Sequence, residues 1–196
     1  MKINGYELNL SEEKLDDMIN RQLREIDLIS PEFDGYKNLP ESEKKALAHL
    51  VAAAKILNDV SLEQDHPLNR SLKAGLEEAA KTSSHAAKAL RIFNTFNGVA
   101  GLNGLDSEPI EIFKEVKGFP GRNFYPADLS VEEFHKIIKK MLEKGKTEEV
   151  RKILSNRTMV RRFGDELKAI DYTEYFAKEF SAVSYTHLTL PTKLEV

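Results

Sequence analysis

The chain has 196 residues, of which 41% are hydrophobic and 31% charged, with a formal net charge of -3 at pH 7. This length suffices for one sizeable core or for a compact part of a larger one. Cysteine is absent, which excludes disulfides and thiolate sites and fits a reducing compartment. The net acidity argues against a nucleic-acid or anionic-membrane surface. Because no apolar run has the length of a signal peptide or a membrane span, a cytoplasmic location is expected.

The first helix is predicted to begin at the N-cap Ser11 and to end at Pro31. Its apolar side chains recur at helical spacing and are expected to be buried: Leu15, Met18, Ile19, Leu23 and Ile26. A second helix is predicted to open at Pro40 and to run past Asn58. One side of this second helix is apolar, at Leu47, Leu50, Val51, Ala54 and Leu57.

A third helix is predicted over about Leu68 to Lys81, and a fourth after Ser83 or Ser84. The glycine-spaced run NGVAGLNGLD follows, with Asn97 and Gly98 as the expected helix stop. Its glycines could cradle a phosphate, but the preceding strand, the spacing and the lysine of such loops are missing. A flexible or tightly turned connector is therefore the favoured interpretation.

The segment from Gly118 to Phe134, GFPGRNFYPADLSVEEF, has the most particular order of residue types in the chain. Asn123 to Tyr125 is predicted to be extended, because the residue before Pro126 is pushed out of the helical region. A helix is then expected from Val131 to Glu143. Its start signals are Ser130 and Glu133 as a capping box, with Leu129 and Phe134 as a hydrophobic staple.

The aromatic pair Phe124 and Tyr125 has two interpretations. Aromatic side chains carry much buried area, so the pair is expected first of all to fill a core between helices. The sharper hypothesis is that it forms a wall of a substrate cleft. On that hypothesis the candidate substrate-binding residues are Asn123, Phe124 and Tyr125.

A short helix is predicted from Glu148 to Leu154, followed by a β-hairpin at about 158–170. Its strands, Thr158 to Phe163 and Leu167 to Ile170, flank the turn residues Gly164 and Asp165. Asp171 and Glu174 form a capping pair for a last helix.

Three arginines, Arg157, Arg161 and Arg162, could form an anion site, pair with a carboxylate of a missing domain or bind nucleic acid. More often such a cluster is the solvated face of a strand, and net acidity disfavours the nucleic-acid hypothesis.

No catalytic or metal constellation is visible in the sequence. The histidines have no second histidine three to five residues away, as two ligands on one helix require: His49, His66, His85, His135 and His187. Adjacent acids such as Glu132 and Glu133 point about 100° apart on a helix. We therefore predict no catalytic residue and no metal ligand in this chain.

The block GRNFYPADLSVEEF resembles a glycine-x-asparagine-phenylalanine-tyrosine-proline-x-aspartate block of the dipeptidyl peptidase III family of zinc metallopeptidases. The branch concerned includes bacterial members and plant proteins fused to a Nudix domain. The match is carried by Gly121, Asn123, Phe124, Tyr125, Pro126, Asp128, Glu133 and Phe134. Two weaker likenesses, Tyr36 to Arg70 and Arg157 to Phe180, extend it over most of residues 30 to 181.

The resemblance implies a zinc-dependent enzyme with a cleft between two lobes, which releases dipeptides from the amino end of short peptides. The family's zinc-binding histidine-glutamate-x-x-x-histidine helix has no counterpart here. The chain is therefore expected to be a mainly α, non-catalytic amino-terminal portion of a larger two-lobed α/β metallopeptidase, with zinc and peptide substrates belonging to the parent. Its implied partner is the missing carboxy-terminal catalytic portion.

The native portion is expected to comprise residues 1–182. From Val183 the sequence VSYTHLTLPT becomes a polar β-type string that resembles a translated sequencing adapter, so 183–196 is predicted to be a non-native tail. A genuine flexible tail is the alternative. The alternative function is a self-contained helical interaction module without enzymatic activity. A severed piece should expose the aromatics Phe124, Tyr125, Tyr175, Phe176 or Phe180, and a self-contained module should not.

Overall fold

The computed structural model describes the backbone of residues 1–22, 30, 32–102, 108–118 and 121–188, with side chains for all of these except 22 and 184–188. Helices dominate, as predicted from the sequence. In chain order the described elements are β1 (Lys2–Ile3), β2 (Tyr6–Glu7), α1 (Glu12–Gln22), α2 (Asp34–Lys37), α3 (Glu41–Asp65), α4 (Asn69–Ala79), α5 (Ser84–Phe96), β3 (Ala100–Leu102), β4 (Pro109–Glu111), a 3₁₀ turn (Arg122–Phe124), α6 (Val131–Glu143), α7 (Thr147–Ile153), β5 (Thr158–Phe163), β6 (Glu166–Asp171), α8 (Tyr172–Tyr175) and α9 (Ala177–Leu188).

The chain divides into two compact units. The larger unit comprises Met1–Leu23 and Leu62–Tyr175, and the smaller comprises Arg24–Ser61 and Phe176–Val196. The larger unit contains two hydrophobic clusters. The first joins α1, α4 and α5 through side chains such as Leu15, Leu72 and Phe93, all fully buried.

The second cluster lies where α6 and α7 pack on the β5–β6 hairpin. Its buried members are Met141, Val150, Ile153, Val160 and Leu167, and the half-buried Tyr125, Leu129 and Phe134 pack against them. Tyr125, Leu129 and Phe134 thereby attach their part of the segment GFPGRNFYPADLSVEEF to the hairpin region of the larger unit.

Local capping signals determine several helix ends as predicted. Ser11 Oγ accepts the backbone N–H of Lys14 at 3.2 Å, Ser83 Oγ that of Ala86 at 3.3 Å, and Ser130 Oγ that of Glu133 at 3.1 Å. Asn97, with φ 53°, ends α5 in the left-handed region. Of the expected α1 stripe, Leu15 and Met18 are buried and Ile19 is half-buried, whereas Leu23, Ile26 and Pro31 lie outside the described residues.

The single predicted hairpin is confirmed. β5 and β6 pair antiparallel from Thr158 opposite Asp171 to Phe163 opposite Glu166, and Gly164 supplies the turn with φ 59°. Two further two-stranded antiparallel pairs, β1–β2 and β3–β4, were not predicted. The β3–β4 pair corrects the interpretation of NGVAGLNGLD as a connector, because Ala100–Leu102 is paired with Pro109–Glu111. Residues 103–107 lie outside the described part.

The apolar side of the second predicted helix, α3, is exposed to solvent. Leu47, Leu50, Val51 and Leu57 are 36%, 52%, 47% and 43% exposed. The other long helices bury one apolar face, whereas α3 is apolar on more than one side. The periodicity that predicted this helix therefore did not predict which of its sides is covered.

The last predicted helix is divided into α8 and α9 by a turn at Phe176. Asp171 Oδ1 accepts the backbone N–H of Thr173 at 3.0 Å, so Asp171 caps α8. Val183–Leu188 prolongs α9, so the prediction of a β-type string for this stretch is wrong over its first six residues. Extending an existing helix needs no new nucleus, which explains how sequence of low helix propensity continues it.

Candidate functional site

The candidate site is the segment from Gly121 to Phe134 together with the groups that hold it. Tyr125 is extended, with φ -118° and ψ 160°, as its place before Pro126 requires. Asn123 and Phe124 instead belong to the 3₁₀ turn, which corrects the prediction that all three residues are extended. The proline restricts only the residue that directly precedes it.

Asn123 is held from two sides. Its Nδ2 donates to the backbone oxygen of Glu63 at 2.7 Å, and its own backbone oxygen accepts from Arg161 Nη1 at 3.0 Å. Arg161 Nη2 also donates to Tyr175 Oη at 2.9 Å, and its guanidinium carbon lies 4.9 Å from the centroid of the Tyr175 ring. Hydrogen bonds and a cation–π contact thus join α3, the 3₁₀ turn, β5 and α8 at one point.

The aromatic pair is used for packing. The Phe124 ring lies 6.1 Å from that of Tyr172, and the Tyr125 ring meets Phe134 edge-on at 5.6 Å between centroids. Tyr125 Oη donates to the backbone oxygen of Ile153 at 3.0 Å. Burial raises the pKa of the Tyr125 phenol above its ordinary value, because desolvation disfavours the phenolate.

Arg162 links the start of α6 to β5 through ion pairs. Its Nη1 and Nη2 donate to the two carboxylate oxygens of Glu133 at 2.9 and 2.8 Å, and its Nε donates to Asp128 Oδ2 at 2.9 Å. The hydrogen bond from Arg162 is the main cause that lowers the pKa of the Glu133 carboxyl. The predicted capping box is supported from both sides: Ser130 Oγ accepts the Glu133 N–H, and a hydrogen bond from the Ser130 backbone contributes to the lowered pKa of the Glu133 carboxyl.

Of the predicted arginine cluster, Arg157 and Arg162 are exposed, as the solvated-face interpretation expects, and Arg161 is half-buried. The guanidiniums of Arg161 and Arg162 are both bound by groups of this chain. Their partners in other elements lie 14 to 38 residues away in sequence, so no local motif predicts these contacts.

An apolar cleft of about 560 Å³ lies beside the ion pairs of Arg162 with Asp128 and Glu133. Its described lining consists of Gly121, Tyr125, Pro126, Ala127, Asp128, Leu129, Ser130, Val131, Phe134 and Leu154. The size is typical of ligand sites. Tyr125 belongs to this lining, whereas Asn123 and Phe124 do not, so one of the three candidate substrate-binding residues faces the cleft. No sequence signal predicted the contribution of Leu154, which comes from the end of α7.

Within the described residues, no group of three or more histidine, cysteine, aspartate or glutamate side chains is arranged to hold a metal ion. His66 is buried, and its Nδ1 accepts the backbone N–H of Leu68 at 3.1 Å. His85 Nε2 lies 2.7 Å from the backbone oxygen of Leu10. Among the described helices, none combines the length and apolarity needed to cross a bilayer.

The aromatic exposure expected of a severed piece is not found at the predicted positions. Phe124, Tyr125, Tyr175 and Phe180 are half-buried, and Phe176 is buried. Exposed apolar side chains lie instead on α3, at Leu47, Leu50, Val51 and Leu57, and on α6, at Val131 and Leu142. Each of these aromatic rings, from Phe124 to Phe180, packs against another group of the chain. The sequence pattern did not predict those contacts.

No family model and no curated protein matches this sequence. Among solved structures, the chain is similar to DPP III from Caldithrix abyssi, with a TM-score of 0.56 and 25% sequence identity. The likeness covers 76% of this chain and 26% of that one, so the chain spans about a quarter of the length of that protein. The fold is therefore DPP III-like, which confirms the fold implied by the sequence resemblance.

Proposed function

We propose that this chain is the amino-terminal, non-catalytic part of a zinc-dependent dipeptidyl peptidase of the dipeptidyl peptidase III family. The parent protein releases dipeptides from the amino end of short peptides in the cytoplasm. Its zinc and general base are supplied by the catalytic portion, and this chain supplies scaffold and part of a cleft wall at Tyr125. The supporting observation is the backbone likeness to DPP III over 76% of the chain.

The contacts around Asn123 support a scaffold role for this segment. Asn123 and Phe124 are engaged with Glu63, Arg161 and Tyr172. The wall of a substrate cleft must be rigid, because reacting groups have to be held to within fractions of an ångström. Tyr125, fixed by Phe134 and the Ile153 carbonyl, is the member of the trio in position to touch a ligand.

The test compares this chain with the product of the uninterrupted gene. We expect the longer protein to bind one zinc ion and to release dipeptides from short peptides, and residues 1–182 alone to do neither. In the longer protein, Tyr125→Ala should lower kcat/KM with zinc content unchanged. A gene that continues without two histidines flanking a glutamate would refute the proposal, as would one tight zinc ion in the chain alone.

The covered aromatic side chains favour a second candidate, a self-contained helical interaction module. Phe124, Tyr125, Tyr175 and Phe180 are half-buried and Phe176 is buried, whereas a severed piece is expected to expose them. This candidate replaces the first under three conditions. The uninterrupted gene ends near residue 182, the purified product is folded, and that product neither binds zinc nor hydrolyses peptides.

A further inference from the structure

The cleft beside Tyr125 has an apolar rim that no described side chain covers. Val131 at the start of α6 and Leu154 at the end of α7 are each 59% exposed, although both line the cleft. An apolar side chain placed between them would lose water from its own surface and from theirs. The removal of apolar surface from water favours such an association.

The floor of the cleft is preorganised. Tyr125 and Phe134 meet edge-on, Tyr125 Oη is bound to the Ile153 carbonyl, and both rings pack on the buried cluster around Met141. A ligand therefore meets walls that are already ordered, which reduces the entropy lost on binding.

Asp128 is the one charged residue in the described lining of the cleft. Asp128 and Glu133 share the single guanidinium of Arg162, which leaves one net negative charge among these three groups. The Asp128 side chain lines the cleft and is still 71% exposed, so a second cation can approach it.

We infer that this cleft binds a peptide segment that places one bulky apolar side chain between Val131 and Leu154 and an adjacent basic side chain at Asp128. The ligand class follows from the apolar lining and the net negative rim. The inference rests on the proposed function, which makes Tyr125 part of the wall of a peptide cleft, and it specifies which side chains of a peptide that cleft takes.

The absence of tryptophan from the chain makes a direct assay available. The probe is a tetrapeptide, acetylated and amidated, with the sequence alanine-tryptophan-lysine-alanine, whose indole fluorescence reports binding without background from the protein. Blocked ends keep a free amino terminus from supplying the cation. The matched peptides replace lysine by glutamate, or tryptophan by alanine, the latter measured by competition.

Substitutions at exposed positions test the placement with little risk to folding. The double variant Val131→Ser with Leu154→Ser should weaken binding of the lysine peptide about tenfold, the equivalent of losing two partly buried apolar contacts. Leu142→Ser is the matched control, because Leu142 is an exposed leucine of the same helix α6 outside the cleft lining. Asp128→Asn should reduce the preference for lysine over glutamate about threefold, as expected of an exposed charge pair.

Saturable binding of the lysine peptide, weakened by the double variant and unchanged by Leu142→Ser, supports the inference. No saturable binding, equal loss in the control, or equal affinity for the lysine and glutamate peptides overturns it. Circular dichroism of each variant distinguishes lost binding from lost structure. Failure here would leave the proposed function standing, because zinc binding and hydrolysis by the longer protein are measured separately.

Discussion

Arg161 contributes to the larger unit mainly through the geometry of its guanidinium. It donates to the Asn123 carbonyl and to Tyr175 Oη while stacking over the Tyr175 ring. To make these contacts together, a side chain needs several donors in one plane, which a guanidinium has and lysine cannot provide. The residue thus links elements that are distant in sequence, with half-buried polar atoms at each contact.

Arg161→Ala should lower the free energy of unfolding by about 2 kcal/mol, because hydrogen bonds from a charged group are lost and their acceptors are left half-buried. Arg161→Lys should recover only part of the loss. The exposed Arg151 is the control, and Arg151→Ala should change stability by less than about 0.5 kcal/mol. Urea unfolding measures all three. Equal effects of the two alanine variants would show that the guanidinium contacts contribute nothing specific.

His66 makes stability depend on pH. Burial lowers the pKa of its imidazole, an effect that the neighbouring Asp65 partly opposes. Its Nδ1 accepts the Leu68 N–H, a bond that the imidazolium cannot make. With a lowered folded pKa, the unfolded chain binds the proton first as pH falls.

Stability should therefore be complete above about pH 6.5, the ordinary histidine value, and should fall as pH drops below it toward the lowered folded pKa. The slope from one such group is at most about 1.4 kcal/mol per pH unit. Because other groups also contribute to the pH dependence of unfolding, the informative quantity is the difference in the free energy of unfolding between wild type and His66→Gln, measured in denaturant from pH 5 to 8. A difference that does not vary with pH would refute the assignment.

At the scale of elements, helix ends illustrate what a sequence can disclose. The caps at Ser11, Ser83 and Ser130 and the stop at Asn97 act within three or four residues, so their signals can be read locally.

Short strands cannot be recognised in this way. β1 and β2 have two residues each, and β3 and β4 have three, too few to show alternation of apolar and polar side chains. The β5–β6 hairpin was predictable because it has six-residue strands and a glycine turn. The candidate site was predictable in part: its segment could be identified, but Glu63 and Arg161, the partners of Asn123, lie 60 and 38 residues away.

The cap of α6 supplies a prediction at this scale. Ser130→Ala removes the acceptor for the Glu133 N–H and should lower the free energy of unfolding by about 1 kcal/mol. Ser130→Thr keeps a hydroxyl and should retain most of that stability. Thermal unfolding of the three proteins measures the effect, and an alanine variant as stable as the threonine variant would contradict a capping role.

At the scale of the whole molecule, Ala169 is the last described residue in the two hydrophobic clusters of the larger unit. In the smaller unit, the rings of the buried Phe176 and the half-buried Phe180 lie 6.5 Å apart and edge-on. The predicted non-native tail begins at Val183, after these side chains. The buried hydrophobic side chains among the described residues therefore all precede the residue at which the sequence changes character.

Deletion of residues 183–196 should accordingly leave the far-ultraviolet circular dichroism nearly unchanged and the Tm within about 2 °C, because chain ends generally tolerate removal and the described buried side chains all precede Val183. A longer deletion, from Phe176 onward, is the matched control and should lower the Tm by several degrees, since it removes a fully buried phenylalanine. If the shorter deletion lowers the Tm as much as the longer one, residues 183–188 of α9 stabilise the protein, and the tail cannot be treated as foreign to the fold. If both leave it unchanged, Phe176 contributes nothing to the cooperative unit and the ordered part of the chain ends at Tyr175.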